Sequence, residues 1–214
     1  MKIIVPNDLS EITLEQYQEF LILKDHDIDN NTLTRKMIEI FCDVPAKYVD
    51  AMKLKDIAKI SRILNDMFEQ KPELVKMFKI GNIEYGFLPN LDAMSFGEYV
   101  DLDTYISDWQ NMERAMNVLY RPVVQKWKDK YVVHNYTTDT SKDLKQMPMD
   151  AVVSSMLFFY NLGIDLCKNM TNYLEEKPET HFQLNHNFTT SGDGFSQFMH
   201  SLREILEESK ISLK

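Results

Sequence analysis

The sequence is poor in the residues that mark exported, metal-binding or loop-built proteins. It carries 2 cysteines in 214 residues, Cys42 and Cys167. Each sits inside an apolar helical pattern and neither belongs to a C-x-x-C pair. That excludes a disulfide framework or a cysteine zinc ribbon, and predicts reduced thiols acting as small hydrophobes. The 6 glycines and 7 prolines are too few for a loop-rich all-β fold. No apolar run reaches the roughly 20 residues that a membrane span needs. The most apolar, residues 151–166, is interrupted by Ser154, Ser155, Asn161 and Asp165. The opening Met1-Lys2-Ile3-Ile4-Val5-Pro6 is too short for the apolar core of a secretory signal. Basic residues are also in deficit, 24 Lys and Arg against 33 Asp and Glu, for a formal charge of −9. That balance disfavours direct nucleic-acid binding. The densest basic groups, Lys53 with Lys55 and Lys126 with Lys128 and Lys130, read as solvated faces. G-x-S-x-G, H-E-x-x-H, G-x-G-x-x-G and the P-loop are all missing.

What remains is an ordinary globular balance, 44% hydrophobic and 27% charged, arranged mostly at helical spacing. The expected fold is mainly α (α+β), with one or two small β-hairpins and a long C-terminal helix. Residues 2–5 read as a short strand. Thr13 and Gln16 form a capping box ahead of a helix presenting Leu14, Tyr17 and Leu21. Residues 25–32 read as a polar loop before a helix that follows Thr34. Pro45 starts a short helix, and Leu54 to Gln70 is strongly amphipathic. Lys76 to Phe87 reads as a hairpin turning at Gly81-Asn82. Ser95 and Glu98 form a second capping box, flanked by Met94 and Tyr99 at staple spacing. A further helix is expected from Thr104 to Tyr120, stopped by Arg121-Pro122, with a possible second hairpin around Lys128-Asp129-Lys130. Residues 135–147 read as a polar loop. The longest helix is predicted from Pro148 or Met149 to Glu176, with Val152, Met156, Phe159, Leu162, Leu166, Met170 and Tyr173 on its core face. A polar linker over 178–193 leads to a last helix with a wide apolar stripe. Three regions follow: helices over 1–72, hairpin plus helical core over 73–177, and linker with docking helix over 178–214.

Each cluster with reactive side chains has a simpler structural reading. Glu98, Asp101, Asp103 and Asp108 form the densest acidic group. Two carboxylates at a suitable separation could serve a hydrolase, but capping and a solvated helix face account for these residues. Asp101-Leu102-Asp103 does not extend into an EF-hand loop, because Tyr105 and Ile106 stand where a ligand and a glycine belong. His181 and His186 share the polar linker without further ligands at zinc spacing. Ser191-Gly192-Asp193-Gly194 suits the start of the last helix. No metal or organic cofactor is expected. The 13 methionines fall mostly on helical stripes, as packing residues. The last stripe, Phe195, Phe198, Leu202, Ile205 and Leu206, either folds back on its own core or docks on a neighbouring subunit. Tyr99, Tyr105 and Trp109, beside the acidic group, form a second candidate interaction surface.

The segment Tyr85-Gly86-Phe87-Leu88-Pro89-Asn90-Leu91, with Ser95-Phe96-Gly97-Glu98-Tyr99-Val100-Asp101-Leu102-Asp103-Thr104-Tyr105, Asp108-Trp109 and Val118-Leu119-Tyr120-Arg121-Pro122, resembles uncharacterised proteins encoded in the structural regions of tailed bacteriophages, including crAss-like phages. The opening Ile12 to Phe20 is similar in style to phage tail-assembly chaperones. The resemblance implies a non-enzymatic virion component of the neck, tail or internal capsid. Such a component would be oligomeric within the particle and bound to other phage structural proteins. It would be found in the virion, and in host cytoplasm during assembly. The alternatives are a transient assembly chaperone or, less favoured, an acidic-site hydrolase.

Overall fold

The computed structural model describes residues 3–24, 28–128, 130–138, 141–176 and 196–207. Four helices open the chain. α1 (Leu14–Lys24) starts at the expected capping box. Thr13 Oγ1 accepts from the Gln16 N–H at 3.2 Å, and Gln16 Oε1 accepts from the Thr13 N–H at 2.9 Å. α2 (Asn30–Phe41) begins earlier than its apolar periodicity indicates. Asp29 accepts from the N–H groups of Asn31 and Thr32, so part of the expected polar loop is the helix's first turn. Pro45 stands one place before α3 (Ala46–Val49), and α4 (Leu54–Phe68) follows. Residues 3–5, expected as a strand, lie outside the sheet.

β1 (Met77–Ile80) and β2 (Ile83–Phe87) form the expected hairpin, with Gly81 at φ +57°. The helix expected from Thr104 to Tyr120 is broken in two. α5 (Phe96–Tyr105) ends at a turn in which Asp108 accepts from the Gln110 N–H. Such a local side-chain bond competes with continued helix. After a 3-10 turn at Trp109–Asn111, α6 (Met112–Leu119) runs straight into β3 (Tyr120–Trp127), which pairs with β4 (Lys130–Val133). The helix ends just before Arg121-Pro122, and that pair lies inside the strand, which begins at Tyr120 and not at Val123. Pro122 accepts from the His134 N–H at 2.9 Å but has no N–H to return, and the register shifts between Val123 and Gln125. The two hairpins join through β2 and β3, where Gly86 faces Arg121 and Phe87 faces Tyr120. The result is one four-stranded antiparallel sheet in the order β1-β2-β3-β4.

α7 (Met149–Glu176) is the longest helix, ~40 Å at ~1.5 Å per residue. Val152 and Met156 are fully buried as expected and Phe159 is half-buried. Leu162 is exposed, a correction to the predicted stripe. Leu166, Cys167, Met170 and Tyr173 lie outside the described side chains. The predicted loop over 135–147 contains a 3-10 turn at Ser141–Gln146, and Leu144 and Met147 are fully buried. Residues 196–207 form α8. It packs on α7 where Gly163 leaves room: a Cβ there would sit 2.1 Å from Met199 Sδ. One core gathers Leu9, Phe41, Phe87, Leu119, Met156 and Leu202, so all three sequence regions share it. The chain is a mainly α, α+β structure with one small antiparallel sheet. Among the described residues, no helix is long and apolar enough to cross a membrane.

Gly86 is a tight point in the sheet. The Tyr131 ring from β4 lies over it, with its hydroxyl donating to the Phe87 carbonyl at 2.6 Å. An added Cβ would come within 2.5 Å of that ring and 3.1 Å of Val123. Gly86→Ala is expected to cost about 1–3 kcal/mol by overpacking. In a background carrying Tyr131→Ala the cost should shrink. Equal costs in both backgrounds, measured by urea denaturation, would show that the ring does not set the constraint.

Candidate functional site

The best-built polar cluster lies between α5 and β3. Ser95 Oγ accepts from the Glu98 N–H at 3.3 Å, and Glu98 Oε2 accepts from the Ser95 N–H at 2.6 Å, completing the predicted capping box. The other carboxylate oxygen, Oε1, lies 2.8 Å from Arg121 Nη2, and both side chains are nearly buried. Arg121 Nε donates to the Val118 carbonyl at 3.1 Å. The guanidinium carbon sits 5.5 Å from the centre of the Tyr136 ring. Tyr136 in turn donates its hydroxyl to Asp101 Oδ2 at 2.7 Å. Burial, and then the donated bond and charge of Asp101, push the Tyr136 phenol well above its ordinary range. The cluster clamps α5 to the strand and to the segment after β4.

The outer face of α5 is different. Phe96 is 81% exposed, Val100 42% and Tyr99 39%, at the i, i+3, i+4 spacing of one helical face. Asp92 and Asp103 are exposed nearby in sequence, and the chain has no Lys or Arg between Lys79 and Arg114. The β3–β4 hairpin offers a second exposed face. Its register sets Gln125 opposite Val132 and Trp127 opposite Lys130, which places these four on one side. Trp127 is 50% exposed and Val132 46%. A hollow of about 490 Å³ is bordered by Ser95, Glu98, Arg121, Val132, His134 and Tyr136.

The predicted interaction residues divide between surface and core. Tyr99 is at the surface. Tyr105 is half-buried, with the Arg114 guanidinium 5.2 Å from its ring centre. Trp109 is buried: the turn at Asp108 swings it edge-on to Tyr17, with ring centres 4.8 Å apart. Gln18 Nε2 donates to its carbonyl at 2.7 Å. Phe198, Leu202, Ile205 and Leu206 are buried in the chain's own core, so the stripe of α8 is covered without a neighbouring subunit. Phe195 lies outside the described residues. Sequence reasoning passed over Arg121 and Tyr136, taking one as a helix stop and the other as loop. The available signal was the spare oxygen of a capping glutamate, which needs a partner if the helix start is covered.

The acidic group is partly engaged. Glu98 is held by Arg121, Asp101 by Tyr136, and Asp108 by the Gln110 amide and Asn111. Among the described residues, no three His, Cys, Asp or Glu side chains gather closely enough to hold a metal ion. Cys42 is buried and its thiol is pushed up to about 11 by that burial. His134 borders the hollow, and His200 Nδ1 lies 3.3 Å from Glu204 on the surface of α8. His181, His186 and the 191–194 cluster fall outside the described residues. In comparison with known proteins, the chain matches no family model, no curated protein and no solved structure.

Removing one member of the Glu98–Arg121 pair leaves a nearly buried charge alone. Arg121→Met and Glu98→Gln are each expected to destabilise by about 3–5 kcal/mol. The double variant should be less destabilised than the sum. Strict additivity in a thermal or urea double-mutant cycle would show that the two groups are not coupled.

Proposed function

We propose that this chain is a non-enzymatic structural component of a tailed-phage particle, working through protein–protein contacts made by the α5 face and the neighbouring hairpin. The observation that carries this reading is the run Phe96, Tyr99 and Val100, exposed together on a helix whose other side is clamped by a nearly buried ion pair. Scattered exposed apolar residues are normal, but a contiguous group on a rigid element marks an interaction site. The same face lies within the segment that resembles phage structural-region proteins. Glu98, Asp101 and Asp108 each hold a neighbouring group in the fold, which accounts for three of the four clustered carboxylates without a hydrolytic role.

Mass spectrometry of purified virions is expected to find the full-length chain at a stoichiometric level relative to the major structural proteins. Absence from particles, with presence in infected-cell lysate bound to a tail protein, would instead identify a transient assembly chaperone. Absence from both would overturn the assembly reading.

A further inference from the structure

A recess of about 240 Å³ opens where α1, α2 and α4 meet, and it shares no residue with the α5 face. Its apolar wall is built mainly from Tyr17, Phe20, Leu21, Met37 and Phe68. Tyr17 and Phe68 have ring centres 5.7 Å apart, and Phe41, outside the lining, lies 5.2 Å from both Phe20 and Phe68. The four rings form one connected group that sets the shape of the wall. One polar residue interrupts it. Ser61 lies four residues after Ile57 and three before Leu64, on the face of α4 where the apolar stripe calls for a hydrophobe. A helical hydroxyl can turn back to a carbonyl three or four residues earlier, as Thr34 does to Asn30, Thr104 to Val100 and Ser155 to Val152. Ser61 does not: its Oγ is buried and has no hydrogen-bond partner among the described residues.

A buried hydroxyl without a partner is costly, and a ligand that bonds to it removes that cost. We propose that the recess binds a small uncharged ring compound carrying one hydrogen-bonding group, with its ring against Tyr17, Phe20 and Phe68 and its polar group on Ser61 Oγ. The dimensions, the lining and the rim select this occupant. An apolar cavity of about 150 Å³ holds a benzene ring, so the recess has room for one substituted ring. Aromatic side chains in the wall favour a flat partner in edge or offset contact. A charge is disfavoured, because apolar walls offer an ion little to replace its water. Lys24, the one charged residue of the lining, is exposed, where solvent screens it. Asn30 and Asn65 are exposed as well, so the rim is polar. That weighs against a polypeptide, since a stable protein contact covers about 800 Å² per partner around any pocket it fills.

The test titrates the purified full-length chain with p-cresol and with p-xylene, two rings of one shape that differ by a hydroxyl in place of a methyl group. Amide shifts in nitrogen–proton NMR spectra are expected to saturate with both probes, centred on the residues of α1, α2 and α4 that line the recess. Ser61→Ala should lower the affinity for p-cresol relative to p-xylene about fivefold to tenfold. The variant should melt no lower than the parent chain, because it loses only an unpaired hydroxyl. Leu33→Trp, which places a large side chain in the lining, should abolish binding of both probes. If that variant does not fold, competition between the two probes on the parent chain is expected to show one shared site. No saturable binding at millimolar p-cresol would overturn the inference, as would shifts centred elsewhere, probes that do not compete, or a preference between them that Ser61→Ala leaves unchanged. A photo-reactive phenylalanine analogue at Leu33 that joins the recess to another polypeptide in assembled particles would also overturn it, by identifying a partner's side chain as the occupant. None of these outcomes bears on α5 as an interaction face.

Discussion

The direct passage from α6 into β3 is the constraint on which the rest of the molecule depends. Leu119 is the last helical residue and Tyr120 the first of the strand, with no loop between them. Consecutive strand residues point to opposite faces, so this junction sends two anchors in opposite directions. Tyr120 enters the core, fully buried among Phe78 and Phe87. Its hydroxyl lies 2.7 Å from the Val75 carbonyl and 3.2 Å from that of Ala151, which ties the approach to β1 to the first turn of α7. Such burial holds its phenol far above the ordinary range. Arg121 points the other way and holds α5 through Glu98. Two adjacent residues thus join the sheet, the long helix and the surface helix.

This arrangement explains how α5 can leave large apolar residues in water and stay ordered. Exposed Phe96 and Val100 add little to folding, while Leu102 and Ile106 bury the opposite side of the segment. The helix start is fixed by reciprocal capping bonds, and the same carboxylate that caps it also receives Arg121. A helix held by its start and its inner face can present its outer face as a rigid platform. Rigidity lowers the ordering cost of binding. α8 is in the contrary situation. Its apolar stripe meets α7 at Gly163 and is spent on the core, so apolar width alone did not distinguish a docking helix from a folded-back one.

The legible parts of the fold were those with local signals. Thr13 with Gln16, Ser95 with Glu98, and the Gly81 turn each carry their geometry within a few residues, and each is found in place. The start of α7 at Met149 was also readable, from the apolar run after Pro148. The failures came from tertiary effects. Met112 and Tyr120 share a helical period with Trp109, yet Asp108 breaks the helix before one and the sheet claims the other. Leu144 and Met147 sit in a polar stretch whose burial depends on neighbouring elements. The Met147 carbonyl accepts from the Leu14 N–H at 2.9 Å, a contact invisible to local reading. At the candidate site, Tyr99 was legible as an exposed aromatic. Trp109 was not legible as core, because only the turn at Asp108 decides which way it faces. The hairpin lysines read as a solvated face, and the aromatic exposure beside them becomes apparent only from the pairing register of β3 and β4.

Native-state hydrogen exchange tests the central claim most directly. If the α6–β3 junction is the element that holds the others, its amides should open only with the whole molecule. The Leu88 amide, bonded to the Leu119 carbonyl at 2.7 Å, and the Tyr120 amide, bonded to the Met116 carbonyl, should exchange at the global unfolding free energy. Amides in the outer half of α5 and at the tip of the β3–β4 hairpin should open at lower free energies. Exchange of the Leu88 and Tyr120 amides ahead of those in α5 would contradict the account, because the clamp would then outlast the junction that positions it.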